Sequence, residues 1–174
     1  MERKCLIFIK ENYSYSNSTK VEELKNEVSN LLSQFSSAMN LRQKKLISNF
    51  IDYYADDNSI FQKKSILLDS YDSSTVKAER VYKLNKAQYI EHLHNIVSAP
   101  LRYAFTAQIT SFDFDQRHIS AIVGVAIEET AIMKANANMN LKMVISTNCN
   151  FAFNLQQLPP YILSNNCIEK ILIK

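Results

Sequence analysis

His92 and His94 stand two residues apart in a stretch with helical periodicity. Their rings therefore point to different sides and cannot share a metal in the way an i, i+4 pair does. His118 opens a strand beside a turn. The chain has no Cys-x-x-Cys, no His-Glu-x-x-His and no carboxylate cluster at ligand spacing, so neither a metal site nor a cofactor is expected. Its one glycine, Gly124, excludes the glycine-rich phosphate loops and the nucleophile elbow. Glu128-Glu129 lies in a long apolar strand, and the two-residue period of a strand requires one of the pair to face outward.

The cysteines carry a more specific signal. If the last two strands fold back about Leu158, Cys149 falls directly across from Cys167. Residues opposite one another at a non-hydrogen-bonded position have Cα atoms ~4.5 Å apart, within disulfide range. One reading is a disulfide in an oxidising compartment such as a periplasm, with Cys5 left over. The other is two small buried hydrophobes that align; a one-residue shift in the Gln156–Pro160 turn would erase the match.

Charge and hydropathy narrow the class. With 20 basic and 17 acidic residues the net charge is only +3, and no long run of one sign is present. Lys44-Lys45 and Lys63-Lys64 are the densest basic pairs and fit a solvated face, so no nucleic-acid partner is expected. A hydrophobic share of 47% against 21% charged residues suits a globular chain. No stretch approaches the ~18 apolar residues of a membrane span. Glu2-Arg3-Lys4 before Cys5-Leu6-Ile7-Phe8-Ile9 has the charge order of a signal peptide, but the apolar run is shorter than the usual ~7–15 residues. The expectation is a soluble protein, cytoplasmic, or periplasmic if the disulfide exists and an upstream signal was removed.

The elements that must position any site follow from periodicity. Residues 1–18 read as a tail or short strand and a polar linker, and residues 19–174 as one domain. Thr19 and Glu22 form a capping-box pattern ahead of an apolar stripe at Leu24, Val28, Leu31, Leu32, Phe35 and Met39. Asn40 with Gln43 repeats the pattern for a second helix that ends near Ala55-Asp56-Asp57-Asn58. Residues 60–68 and 76–84 read as a hairpin, and Asn85 with Gln88 caps a third helix that stops at Ala99-Pro100. From Leu101 the period becomes two. Strands are expected over 101–110, 119–132, 143–155 and 161–173, with turns at Asp113–Gln116 and Lys134–Asn138.

Helices segregated from an antiparallel sheet make this an α+β chain, with three helices in the concave face of a curved sheet. The succession, together with Phe50-Ile51-Asp52-Tyr53-Tyr54-Ala55-Asp56-Asp57 at the end of the second helix, resembles the nuclear transport factor 2-like superfamily. That superfamily has a cone-shaped fold shared by ketosteroid isomerase-like and polyketide cyclase-like proteins. The early hairpin lacks the superfamily's usual glycines. The resemblance implies a pocket between sheet and helices, and on it Asp52, Tyr53, Tyr54, Asp56, Arg102 and Tyr103 are the candidate pocket residues. The plainer reading of Tyr53 and Tyr54 is that their rings pack and their hydroxyls face water.

Two functions are compatible with this pattern. One is a non-catalytic binding or assembly module, as in transport or secretion complexes, forming a homodimer or meeting a protein partner through the outer sheet face around Asn148, Asn150, Asn154, Thr106 and Gln108. The other is an isomerase, cyclase or hydrolase acting on a small apolar ligand in the cone. Because no catalytic pairing is recognisable, the module is the favoured expectation.

Overall fold

The computed structural model describes residues 17–115, 117, 119–136, 139–156 and 160–174. Of the expected tail, residues 1–16 lie outside the described residues, as do His118 and the tips of the later turns. Helix α1 (Asn17–Leu41) starts two residues before the expected Thr19 cap. Asn17, Ser18 and Thr19 are all capping types, so the sequence offers several equivalent starts. The stripe from Leu24 to Met39 is buried as expected.

Asn40 does not cap helix α2 (Lys44–Tyr54); Gln43 holds that position without a side-chain bond. Asn40 reaches instead to strand β3 (Arg102–Asp115), donating from Nδ2 to the Phe105 carbonyl and accepting the Phe105 N–H on Oδ1, both at 2.8 Å. Strand β3 is an edge of the sheet, and one amide thus satisfies both main-chain groups that the edge leaves open at Phe105. Next to it Arg42, at φ 56°, lays its guanidinium over the end of helix α3 (Lys86–Ser98). It donates to the carbonyls of Val97 at 2.7 Å, Pro100 at 2.5 Å and Leu101 at 3.3 Å. A cation at a helix C-terminus is favoured by the helix dipole as well as by the open carbonyls.

Strand β1 (Ala55–Leu68) follows α2 without a turn and pairs with β2 (Val76–Leu84) as the expected hairpin. The capping box of Asn85 and Gln88 is formed. With strand β4 (Ser120–Asn136), β5 (Met139–Asn154) and β6 (Tyr161–Ile173), the described residues form a six-stranded sheet in the order β2-β1-β6-β5-β4-β3. All neighbours are antiparallel except β1 and β6, which run parallel. The sheet is curved and unclosed, with the helices in its concave face.

Of the turn expected at Asp113–Gln116, residues 113–115 are strand and Gln116 lies outside the described residues: Phe112 and Phe114 pack against the core and hold the chain extended through Asp115. Likewise β4 continues to Asn136 and pairs it with Met139. Gly124 sits opposite the bulge between Ile109 and Ser111, where a Cβ would lie 2.8 Å from Thr110 Oγ1 and nearer still to Ser111 Oγ. Cys149 and Cys167 are register partners with Cα atoms 4.0 Å apart and sulfurs 2.02 Å apart. The outer face around Asn148 and Asn150 also exposes Ile122, Leu163 and Ile168.

Replacing Asn40 by Ala would strip two hydrogen bonds from partly buried backbone, each worth ~1 kcal/mol. The expected loss of stability is about 2 kcal/mol, read as a lower urea midpoint with an unchanged slope.

Candidate functional site

Along the concave face the two-residue period sends Cys167, Glu169 and Ile171 of β6 inward, and Ile127, Glu129 and Ala131 of β4. Both carboxylates are buried, Glu169 at 5% exposure and Glu129 at 7%. A buried carboxylate is tolerated only when it is paired or protonated. Each finds a different solution.

Glu169 is paired. The parallel register sets Ser65 opposite it and Lys63 two residues earlier on the same face of β1. Lys63 Nζ lies 2.9 Å from Glu169 Oε1, and Ser65 Oγ donates to Oε2 at 2.5 Å. The ammonium also lies 2.7 Å from His92 Nε2. Because Lys63 can only donate, that nitrogen accepts, and the imidazole proton belongs on Nδ1. Burial, and then the Lys63 charge, push the His92 pKa down to about 4 against a smaller opposing pull from Glu169. At neutral pH the ring is uncharged.

Glu129 moves toward its protonated form. Burial raises its pKa and the Glu169 charge adds to this, while a hydrogen bond from the Tyr103 hydroxyl and the Lys63 charge oppose it. Tyr103 donates to Glu129 Oε2, and burial with the neighbouring carboxylate holds the phenol firmly protonated. Tyr89 stacks flat on Phe61, with centroids 4.0 Å apart, and its pKa is raised chiefly by burial. Asn165 accepts the Gln62 N–H on Oδ1 at 3.1 Å and meets the Tyr89 hydroxyl. Thr147, register partner of Glu169, is buried, and its hydroxyl has no hydrogen-bond partner among the described residues.

Above this cluster opens a cavity of about 410 Å³ between β1, β2, α3, β5 and β6. Its walls are Leu67, Ile96, Met143, Ile145, Ile171 and Ile173, and Lys63, Glu129, Glu169 and His92 reach it as well. Strand β2 contributes Ala78, Arg80 and Tyr82 along the rim. Deeper in, Phe105, Phe151 and Phe153 fill the space under α1 and α2. The concave face is thus packed at one end and hollow at the other.

No protein-family model matches the chain, and no curated protein matches it in sequence. Solved structures do match it in shape. Hexachlorocyclohexane dehydrochlorinase LinA Type2 superposes with a TM-score of 0.62 at 8% identity, covering 91% of this chain and 93% of that one. LinA-type3 from Novosphingobium barchaimii gives 0.59 at 9% identity, with 87% and 89% covered. A conserved protein from Planctomyces limnophilus gives 0.59 at 6% identity, with 88% and 99% covered. The chain has the nuclear transport factor 2-like fold. At such identities the likeness concerns fold alone.

Within this nuclear transport factor 2-like fold the six residues singled out from sequence are scattered. Asp52, Tyr53, Asp56 and Arg102 are exposed. Lys86 bonds the Asp52 carbonyl at 3.2 Å, and Asp56 accepts the Asn58 N–H at 2.8 Å. Tyr54 packs on Phe50 and, with Tyr53, borders a shallow depression between α1 and α2. Tyr103 alone of the six meets the inner carboxylates. His94 ties α3 to α2 through Ser48 and the Lys44 carbonyl, and no metal-ligand cluster occurs among the described residues.

Lys63, expected on a solvated face, is instead turned inward to Glu169 by the β1–β6 pairing; His92 is weighed in sequence only as a metal ligand, and no spacing singles out Arg80, Tyr82 or Glu169. Glu169 was accessible in principle: once Cys149 faces Cys167, Glu169 lies in the same inward register.

Because folded His92 takes up a proton only near pH 4 and an unfolded one near 6.5, its neutral burial contributes stability above pH 6.5 that is lost as pH falls toward 4. Glu129, shifted upward, has the opposite sign: its contribution is present below the usual carboxyl pKa and lost as pH rises. A His92→Gln variant is expected to lose less Tm than the wild type between pH 6.5 and 4. Equal losses in the two proteins would show that His92 does not set this limb.

Proposed function

We propose that the chain is a non-catalytic binding module whose cavity takes a small, largely apolar molecule. The supporting observation is the cavity itself, about 410 Å³ with aliphatic walls. Ligand sites usually span ~300–1,000 Å³ with a few placed polar groups. The polar residues here are mostly engaged with one another, Lys63 with Glu169 and Tyr103 with Glu129. That suits a wall that holds a guest better than groups free to move protons.

One observation favours a second reading. A neutral imidazole and a carboxyl held toward its protonated form reach the same cavity, and pairs of titratable groups pushed to opposite states can serve as base and acid. On this reading substrate would displace Lys63 from His92 Nε2, that nitrogen would accept its proton, and Glu129 would donate to its oxygen.

The neutral fluorophore N-phenyl-1-naphthylamine separates these possibilities. Saturable one-to-one binding with a blue-shifted emission is expected, abolished by Met143→Trp, which fills the cavity from its aliphatic wall. Absence of saturable binding, or binding indifferent to Met143→Trp, would overturn the binding reading. Exchange of solvent deuterium into an α-C–H of an apolar ketone, present in the wild type and lost in His92→Gln, would replace it with the enzymatic one.

The facing cysteines also favour an oxidising compartment for this module. Of the three cysteines only Cys5 lies outside the pair. Denatured, unreduced protein from its native compartment is expected to show one reactive thiol, and three would refute the assignment.

A further inference from the structure

Resting on the binding reading above, we infer that the guest is an amphiphile with a single carboxylate, its apolar body in the aliphatic part of the cavity and its carboxylate on the Arg80 guanidinium at the rim.

The argument is one of charge. Four ionisable side chains of the inner cluster reach the cavity, and each of them is committed to a partner within that cluster. Lys63 and Glu169 neutralise each other at 2.9 Å. His92 Nε2 is occupied by the Lys63 ammonium, and Glu129 accepts the Tyr103 hydroxyl while burial raises its pKa. Arg80 remains. It lines the cavity from β2, opposite Ser65 in the register, and has no ion-pair partner among the described residues. Its neighbours on the other face of β2 are already committed: Glu79 pairs with Lys64 at 2.8 Å, and Lys77 with Asp69 at 2.8 Å. Among the described residues that line the cavity, the one cation outside these pairings therefore sits at its rim.

A guanidinium is a planar fork of donors that matches a carboxylate with two parallel hydrogen bonds. A phosphate monoester would bring nearly two negative charges against this single cation, the second facing the Glu169 side of the cavity. A cationic head would meet Arg80 itself. One carboxylate on an aliphatic or aromatic body satisfies both the wall and the rim.

Calorimetric titration of the full chain with decanoate, decan-1-ol and decyltrimethylammonium tests this, because the three probes share a tail and differ in head charge. At low salt decanoate is expected to bind about tenfold tighter than decan-1-ol, the effect of one charge-assisted pair. Decyltrimethylammonium should bind weakest. Arg80→Leu should bring decanoate to the level of decan-1-ol and leave decan-1-ol unchanged, with Arg80→Lys in between. Arg80 is exposed, so its replacement leaves the core intact. Decanoate binding no tighter than decan-1-ol, or a ratio unmoved by Arg80→Leu, would overturn the inference while the cavity still bound N-phenyl-1-naphthylamine. Failure of that neutral fluorophore as well would bring down the binding reading itself.

Discussion

A carboxylate cannot be carried into a sheet's concave face without a partner, and Glu169 makes that constraint govern one end of this molecule. Moving an ion out of water costs several kcal/mol even after the protein relaxes. Attraction to Lys63, with a hydrogen bond from Ser65, offsets that cost. Both partners come from β1, which is joined to β6 in the one parallel pairing of the sheet. The first hairpin of the chain is thus held against the last strand by charge as well as by the ladder. Lys63 in turn reaches His92 on α3, so strand, strand and helix meet at one ammonium group.

The same constraint explains why the concave face is solid at one end and hollow at the other. Where α1 and α2 cover the sheet, inward positions are Phe105, Val123, Val125, Phe151 and Phe153, and they close-pack. Where α3 covers it, the inward positions alternate aliphatic residues with Glu129, Glu169 and Lys63, whose polar heads must be held by partners. Side chains committed to one another in this way do not fill the space above them. A cavity with aliphatic walls and a self-satisfied polar floor is the result.

The helices are secured to this sheet by a few polar tethers placed where the backbone would otherwise be unsatisfied. Asn40 bonds the open edge of β3, and Arg42 bonds the last carbonyls of α3. Two residues, one in the last turn of α1 and one in the short connection to α2, therefore hold both the sheet edge and the third helix. Their roles come from position in space. An Asn ahead of a helix reads as a cap in sequence, and here it is spent on a strand 65 residues away.

What the sequence determined by itself is the set of elements and their faces. Alternation along β5 and β6 and the stripe on α1 arise from neighbours within a few residues, so Cys149 opposite Cys167 and the buried Leu24–Met39 stripe were legible, as were the capping box at Asn85 and the full extent of β6. Turns were less legible, because Asp and Asn favour turns locally while Phe112 and Phe114, once packed on the core, keep β3 extended. The polar floor of the cavity belonged to tertiary structure alone. Lys63 and Glu169 are 106 residues apart, and only the parallel pairing of β1 with β6 brings them together. No local period encodes such a pairing, since it is decided by the free energy of closing the whole chain around one core.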